Sequence, residues 1–178
     1  MSVAEPPLGD IPEQEMVDKN LIGRCGLYCG ICEIHRAGRD SKELRERLAE
    51  KHDCRPEEVG CDGCHTLGIS GWSHEKEWGT NCKILRCLNA KKLIFCYECS
   101  EYDTCQKHAE FAKICSGLGM DLCQNLQKIR QGKAEQWLLE EDEKWRCPKC
   151  GRPIIVSYNF KICHWCGKLL PSWKAQQG

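Results

Sequence analysis

The chain has 178 residues and 17 cysteines, close to a tenth of all residues, and it carries no formal net charge. Only 41% of its residues are hydrophobic, cysteine included, which excludes a protein that folds around a large apolar core. We therefore expect metal ions to stabilise the fold, since one structural zinc ion can contribute about 10–16 kcal/mol of folding free energy.

Residues 1–20 are predicted to form a flexible leader. They contain three prolines and no apolar stretch of the kind that signal peptides carry, and no run of about 18 apolar residues occurs in the chain. We therefore expect a cytoplasmic protein that does not contact a membrane. In that reducing compartment the odd number of cysteines and the repeated C-x2-C pairs favour metal sites over a disulfide framework.

The first thiol-rich motif is Cys25-Gly-Leu-Tyr-Cys29-Gly-Ile-Cys32, which places three cysteines within eight residues. Thiols packed this densely oxidise unless a metal ion or cluster occupies them, so the motif predicts a metal centre. A short helix ending near Lys51 follows, because Asp40-Ser41-Lys42-Glu43 resembles a capping box and Leu44 and Leu48 form one apolar stripe.

Two C-x2-C pairs come next, Cys61-Asp-Gly-Cys64 and Cys96-Tyr-Glu-Cys99, and Cys105 follows the second pair. This spacing is typical of a turn that aims two sulfurs at one ion. Between the pairs, Cys82 and Cys87 are five residues apart, which on a helix would turn their thiols about 140° from each other. Either this segment is not helical, or its two cysteines serve different centres.

The rest of the predicted cysteine-rich domain, residues 21–143, contains a strand-like run at residues 93–95 and three helices. The helices are expected to span about residues 103–115, 121–131 and 133–143. Cys115 and Cys123 fall at apolar helix positions and are predicted to be core cysteines.

Residues 144–178 are predicted to form a zinc ribbon. Cys147-Pro-Lys-Cys150 and Cys163-His-Trp-Cys166 are separated by twelve residues, and a glycine follows each pair. Two C-x2-C pairs at this spacing are typical of a closed four-thiolate zinc site. Residues 153–157 and 160–162 supply two short strands, so we expect a β-hairpin between the pairs.

The charge is distributed unevenly along the chain. Residues 144–178 contain seven basic and no acidic residues, so the ribbon carries +7 and the preceding residues carry −7. Our preferred interpretation is that the ribbon packs on the acidic body. The alternative is that it binds an acidic partner or a nucleic acid, whose bases could stack on the ribbon's aromatic side chains.

The ordered series of cysteine motifs, over about residues 22–140, resembles the prokaryotic cysteine-rich family of unknown function numbered 3795. The appended ribbon also resembles longer members of that group. The resemblance implies a cytoplasmic protein that binds metal, with zinc as the expected ion, and it implies no particular activity.

These patterns predict a small metal-stabilised α+β fold, with a cysteine-knuckle body of several short helices and a C-terminal zinc-ribbon β-hairpin. We expect about three zinc ions, each held by four thiolates. The provisional groups are Cys147, Cys150, Cys163 and Cys166 in the ribbon, Cys29, Cys32, Cys61 and Cys64 for one centre in the body, and Cys87, Cys96, Cys99 and Cys105 for the other. Cys25 and Cys82 are alternates that can exchange into the body sites.

Closed zinc sites predict a non-catalytic scaffold that binds a protein or nucleic acid. The first alternative is an iron–sulfur protein in electron transfer, because thiolates hold both metals. The spacing of Cys25-x3-Cys29-x2-Cys32 also matches radical S-adenosylmethionine enzymes, but Ile31 stands where those enzymes usually have an aromatic residue, and the strand–helix alternation of their large barrel is missing. The second alternative is a metalloenzyme with an open zinc site and His65, Glu98 or His108 as a nearby acid or base.

Overall fold

The computed structural model describes residues 18–66, 71–76, 78–157 and 161–170. Within these ranges the fold is small and mostly helical. The α-helices are α1 (Glu33–Asp40), α2 (Lys42–Lys51), α3 (Lys83–Lys91), α4 (Gln106–Ser116), α5 (Leu122–Arg130) and α6 (Ala134–Lys144). None of the helices in the described part of the chain has the length and apolar character that a membrane span requires.

Helices α1 and α2 form one packing unit. The prediction of α2 is confirmed, since the Ser41 hydroxyl accepts a hydrogen bond from the Leu44 N–H at 3.2 Å and Leu44 and Leu48 are buried. Helix α1 was not predicted. Its buried residues Ile34 and Ala37 join those two leucines in a single hydrophobic cluster, so tertiary packing rather than a sequence signal stabilises this short helix.

The three helices predicted in the second half of the body are confirmed as α4, α5 and α6. At the start of α5 the Asp121 carboxylate accepts a hydrogen bond from a backbone N–H of the first turn at 2.9 Å. Leu122 and Leu126 of α5 are fully buried, as are Trp137 and Leu138 of α6. These residues form the centre of the larger hydrophobic cluster.

The first cysteine motif lies directly against α5 through Gly26. The backbone of Gly26 has φ +89°, and a Cβ there would lie 2.5 Å from the carbonyl oxygen of Leu122. The buried Asn125 side-chain amide donates a hydrogen bond to the Gly26 carbonyl at 2.9 Å. Only glycine fits this position, and it fixes how closely the thiol motif approaches the helix.

The ribbon packs on the body. Ile155, 1% exposed, belongs to the same hydrophobic cluster as α1 and α2. The Val156 N–H donates to the Ile31 carbonyl at 3.1 Å, and the His164 imidazole lies 3.0 Å from the buried Asp40 carboxylate on α1. These contacts agree with the preferred interpretation of the charge asymmetry.

The described residues show no β-hairpin between the two cysteine pairs of the ribbon, where the sequence predicts one. Their β-structure consists of three isolated antiparallel bridges, Ile22–Tyr28, Arg146–Pro153 and Ile162–Leu169. The expected strand at residues 153–157 begins with a proline, which has no N–H, and the Val156 N–H bonds the body instead of a neighbouring strand. Residues 158–160, where the hairpin would turn, lie outside the described residues.

The strand-like run at residues 93–95 is also not a strand. The Glu98 carboxylate accepts hydrogen bonds from the Ile94 and Phe95 N–H groups, at 2.7 and 3.2 Å. The Glu98 carboxylate thereby caps the 3-10 turn Cys96–Glu98. The two N–H groups are then unavailable for hydrogen bonds to a neighbouring β-strand.

The predicted leader falls almost entirely outside the described residues. Only residues 18–20 of it are described, and they enter a 3-10 turn, Lys19–Leu21, that Asp18 caps. The predicted domain boundaries stay predictions.

Candidate metal centres

The four ribbon cysteines form the tightest thiol group in the described chain. Their Sγ atoms all lie within 4.8 Å of one another. We call Cys147, Cys150, Cys163 and Cys166 the ribbon tetrad. The Sγ atoms of Cys147 and Cys166 are 3.7 Å apart and those of Cys150 and Cys163 are 3.8 Å apart. Four sulfurs about 2.3 Å from a tetrahedral zinc ion are separated by about 3.8 Å, so the tetrad fits one such ion.

Two equivalent turns build the ribbon tetrad. The Gly151 N–H donates to the Cys147 carbonyl at 2.8 Å, and the Gly167 N–H donates to the Cys163 carbonyl at 2.9 Å. Both glycines have positive φ, +70° and +69°, which this turn requires. The Lys149 N–H also points at the Cys147 sulfur, 3.5 Å away. The C-x2-C-G sequence therefore sets the positions of the sulfurs locally.

The thiols of the ribbon tetrad differ widely in pKa. Burial is the main reason that the pKa of Cys163 rises to about 12. Burial acts in the same direction on Cys147, but N–H groups of Cys150 and Lys149 and the neighbouring thiols stabilise its thiolate and lower its pKa to about 6. Four thiolates this close repel one another unless a cation replaces the protons.

A second thiol group surrounds a cavity of about 490 Å³ in the body. It brings together the first motif, the first C-x2-C pair and the start of α3. Six cysteines of these three segments line it, and we name it the six-thiol cavity after them: Cys25, Cys29, Cys32, Cys61, Cys64 and Cys82. Cys115 of α4, a core cysteine, lines the same cavity. The cavity contains one predicted group of four together with both predicted alternates, so the structure does not separate ligands from alternates, and that division remains a prediction.

The thiols of the six-thiol cavity are desolvated. Burial, reinforced by the neighbouring Cys64, raises the pKa of Cys25 and of Cys29 well above the usual thiol value. Burial also raises the pKa of Cys32 to about 11. The Arg24 N–H donates to the Cys64 sulfur at 3.2 Å. Without a cation these groups are neutral thiols at pH 7, and a bound metal would have to displace their protons.

His35 on α1, which was not among the predicted ligands, also lines the six-thiol cavity. Its imidazole is 2% exposed, and Nδ1 donates to the Cys61 carbonyl at 2.7 Å. Burial lowers its pKa, so the ring is neutral and Nε2 keeps a lone pair, for which the structure shows no hydrogen-bond partner. An imidazole oriented by a backbone carbonyl is typical of metal ligands. The C-x2-H spacing from Cys32 was the available signal.

A third thiol group surrounds a cavity of about 570 Å³. Its cysteines are Cys87, Cys96, Cys99 and Cys105, and we call it the four-thiol cavity. These are the four cysteines that the sequence grouped together, and their role as ligands remains a prediction. Burial, followed by the proximity of Cys105 and Cys87, raises the pKa of Cys96 to about 12.

Lys91, at the end of α3, supplies positive charge to the four-thiol cavity. Its ammonium donates to the Cys99 sulfur at 3.2 Å and also pairs with Glu101. The hydrogen bond with Glu101, and then that with Cys99, raises the lysine pKa. A lysine that donates to a sulfur stabilises its thiolate form, which is the form that binds metal.

Helix α3 resolves the question of Cys82 and Cys87. Cys82 is the N-cap of α3 and Cys87 lies within it. Cys82 lines the six-thiol cavity and Cys87 lines the four-thiol cavity. The segment is thus helical, and its two cysteines face different thiol groups.

The three predicted acid or base candidates make structural contacts with the backbone. Glu98 caps the turn described above. His65 lies 3.0 Å from the Ile22 carbonyl, and His108 lies 3.0 Å from the Cys25 carbonyl. His108 also lines the four-thiol cavity.

The remaining cysteines differ in burial. Cys115 is 3% exposed and belongs to the larger hydrophobic cluster, as predicted. The same prediction for Cys123 is wrong, because Cys123 is exposed; it lies in the first turn of α5, whose buried positions are Leu122 and Leu126.

One family model, described as "Protein of unknown function (DUF3795)", matches residues 21–110, half of the chain. The matched region contains the six cysteines after which the six-thiol cavity is named and the four of the four-thiol cavity, and it ends within α4, before Cys115. Comparison with curated proteins gave no match, and comparison with solved structures gave none either.

Proposed function

Since the chain belongs to the protein family DUF3795, whose description names no activity, we propose a function from the geometry of its thiol groups. The protein is a zinc-stabilised interaction module. Zinc ions replace part of the hydrophobic core, and the surface that they hold in place binds another macromolecule, with a protein as the favoured partner.

The sulfur–sulfur distances in the ribbon tetrad carry this proposal. The distances of 3.7 and 3.8 Å equal two opposite edges of a ZnS4 tetrahedron, and the other four sulfur pairs lie within 4.8 Å. A site with four protein ligands has no open position for a substrate or a water molecule, so its role is structural. Folding of the ribbon then depends on the ion.

The body would hold two further zinc ions, one in each thiol-lined cavity. The four-thiol cavity supplies the number of ligands that one zinc ion uses, and Lys91 offsets part of the thiolate charge. The six-thiol cavity supplies two thiols more than one ion needs. About three zinc ions per chain therefore follow, and a second ion in the six-thiol cavity would make four.

An iron–sulfur cluster in the six-thiol cavity is the second candidate. The observation that favours it is spacing: in the described chain only the ribbon cysteines form a thiol group whose Sγ atoms all lie within 4.8 Å of one another. Thiols placed more widely around a cavity suit a cluster that is larger than a single ion. The protein would then transfer electrons or sense oxidation.

The second ribbon turn supports a protein partner. Ile162 and Leu169 are 53% and 67% exposed, and they pair in the bridge that closes this turn. The exposed Lys161 and Lys168 flank them. Two apolar side chains between two cations suit a protein surface with apolar and acidic residues. A nucleic-acid partner would instead use the lysines, and its affinity would fall steeply with salt.

Metal analysis of protein purified without oxygen tests the proposal. We expect a colourless protein with about three zinc ions per chain and no iron. Cys96→Ser should remove one ion and leave the ribbon folded, whereas Cys163→Ser should remove the ribbon's ion. A brown protein that contains iron and sulfide would establish the second candidate. A folded protein without metal would refute both.

A further inference from the structure

A donor set of different chemistry lies beside the six-thiol cavity. Glu33 at the start of α1, His52 at the end of α2 and Glu75 in the following loop each place one ligand atom within 4.8 Å of the other two. We call these residues the Glu–His–Glu triad. In the described part of the chain no other group without cysteine has this property. Glu33 and Glu75 also line the six-thiol cavity.

The loop that bears Glu75 is fixed by Asn81, which begins the approach to α3. The Asn81 side-chain amide donates to the Glu75 carbonyl at 2.7 Å and to the Ser73 carbonyl at 3.3 Å. The three donors therefore come from two adjacent helices and one anchored loop. This arrangement holds the ligand atoms together, and His52 and Glu75 also approach each other directly.

The distance between His52 and Glu75 suits two ligands of one ion. Nε2 of His52 lies 3.4 Å from a carboxylate oxygen of Glu75, which is longer than an ordinary N–H···O hydrogen bond. Ligand atoms about 2.1 Å from a tetrahedral ion are separated by about 3.4 Å, and in an octahedral site neighbouring ligands are about 3.0 Å apart. The observed separation falls in this range.

The imidazole of His52 points independently to a ligand. Its side chain is only 10% exposed, and Nε2 is buried with no hydrogen-bond partner. The ring packs edge-on against Trp72, with the ring centres 5.0 Å apart, so it cannot swing into solvent without losing this contact. A buried ring nitrogen without a partner is unfavourable unless something binds it.

The charges of the triad also favour a cation. The two carboxylates face each other within 4.8 Å, and like charges at this separation destabilise one another. Lys51 lies 3.4 Å from a Glu33 oxygen, but its side chain is half exposed and it partly offsets only one of the two charges. A divalent cation would neutralise both carboxylates and also bind the orphaned nitrogen.

We propose that the Glu–His–Glu triad binds one divalent first-row cation through two carboxylate oxygens and one imidazole nitrogen. Oxygen and nitrogen donors suit Mn²⁺ or Fe²⁺, whereas thiolates select zinc and iron–sulfur clusters. The site is therefore chemically distinct from the thiol groups. With three protein ligands it keeps coordination positions open for a small anionic or water ligand, which the closed ribbon tetrad lacks. This inference does not depend on zinc in the thiol groups.

Titration of the zinc-loaded full-length protein with Mn²⁺, followed by the electron paramagnetic resonance signal of free Mn²⁺, tests the proposal. We expect one saturable Mn²⁺ site per chain. Glu75→Gln keeps the shape of the side chain and should weaken Mn²⁺ binding at least tenfold. His52→Ala should do the same. Glu50→Gln, an exposed change in the same helix α2, should leave it unaltered.

A variant of Lys51 separates a metal site from a merely structural cluster. Lys51→Met removes the ammonium that competes for Glu33, so Mn²⁺ should bind severalfold more tightly. Circular dichroism melts of every variant establish that the protein is folded before it is titrated. The proposal is overturned if wild-type protein shows no saturable Mn²⁺ binding, or if folded Glu75→Gln binds Mn²⁺ as tightly as wild type.

Discussion

Replacing one cysteine of the ribbon tetrad should unfold the ribbon and leave the body folded. Cys163 is the sharpest choice, because it is 1% exposed and its sulfur lies 3.8 Å from that of Cys150. Cys163→Ser puts a hydroxyl, a poor zinc ligand, in place of a thiolate. The three remaining sulfurs cannot complete a tetrahedral site.

The size of the effect follows from the geometry. The sulfur–sulfur distances of 3.7 and 3.8 Å are those that four zinc–sulfur bonds of about 2.3 Å would produce. Loss of a residue that only orients a ligand costs about 10–100-fold in metal affinity. Loss of a ligand itself should cost at least about 100-fold, or about 2.7 kcal/mol.

Zinc content and X-ray absorption measure the effect. Wild-type protein should show zinc bound by sulfur at about 2.3 Å, and Cys163→Ser should contain one zinc ion fewer. Trp145, 1% exposed and hydrogen-bonded to Glu141, lies at the base of the ribbon, and its emission should shift to the red as the ribbon unfolds. Cys123→Ser, at an exposed cysteine, is the matched control. If Cys163→Ser keeps the zinc content and stability of this control, the ribbon tetrad is not a metal site.

Three further results are expected. Gly26→Ala should lower the free energy of unfolding in urea by at least about 2 kcal/mol, because the backbone is strained for alanine and the added methyl meets α5. Gly132→Ala is the control: its φ is +78°, but the space around it is open, so it should cost less. Equal losses in the two variants would contradict the packing argument. Lys91→Gln should speed zinc loss from the four-thiol cavity to a chelator severalfold, because the ammonium no longer stabilises the Cys99 thiolate. An unchanged release rate would show that this contact does not affect how tightly zinc is held. As the pH falls from about 8 to about 5, zinc should leave the six-thiol cavity before the ribbon. Burial raises the pKa of Cys25, Cys29 and Cys32 alike, whereas in the ribbon the lowered pKa of Cys147, about 6, partly offsets the raised pKa of Cys163, about 12. A zinc-sensitive dye would follow the release, and first release from the ribbon, identified by its absence in Cys163→Ser, would reverse this order.

The local part of this fold could be predicted from the sequence. Helices α2 and α5 carry a capping residue and an apolar stripe within their own sequences, so their limits were recognisable. Helix α1 has no side-chain cap at Cys32 and only a short apolar face. It forms because Ile34 and Ala37 pack against α2. Local propensity predicts a strand at residues 153–157, but Val156 bonds the body, a contact between distant residues that local propensity does not report.

The candidate sites divide in the same way. A C-x2-C-G turn determines the positions of its two sulfurs by itself, and the ribbon tetrad is two such turns. The six-thiol cavity depends on the approach of three separated segments, so spacing alone could not assign Cys25 or Cys82. The Glu–His–Glu triad combines two helices and a loop, and no spacing rule connects Glu33, His52 and Glu75.

Helix α3 gives the two body cavities a common support. Cys82, at the N-cap position of α3, lines one cavity, and Cys87, within the helix, lines the other. An ion bound at one cavity would fix the position of α3 and so place the helix's other cysteine for the ion in the second cavity. Filling of the two cavities should therefore be cooperative, so that half-filled chains are scarce and metal starvation switches the body between full and empty states.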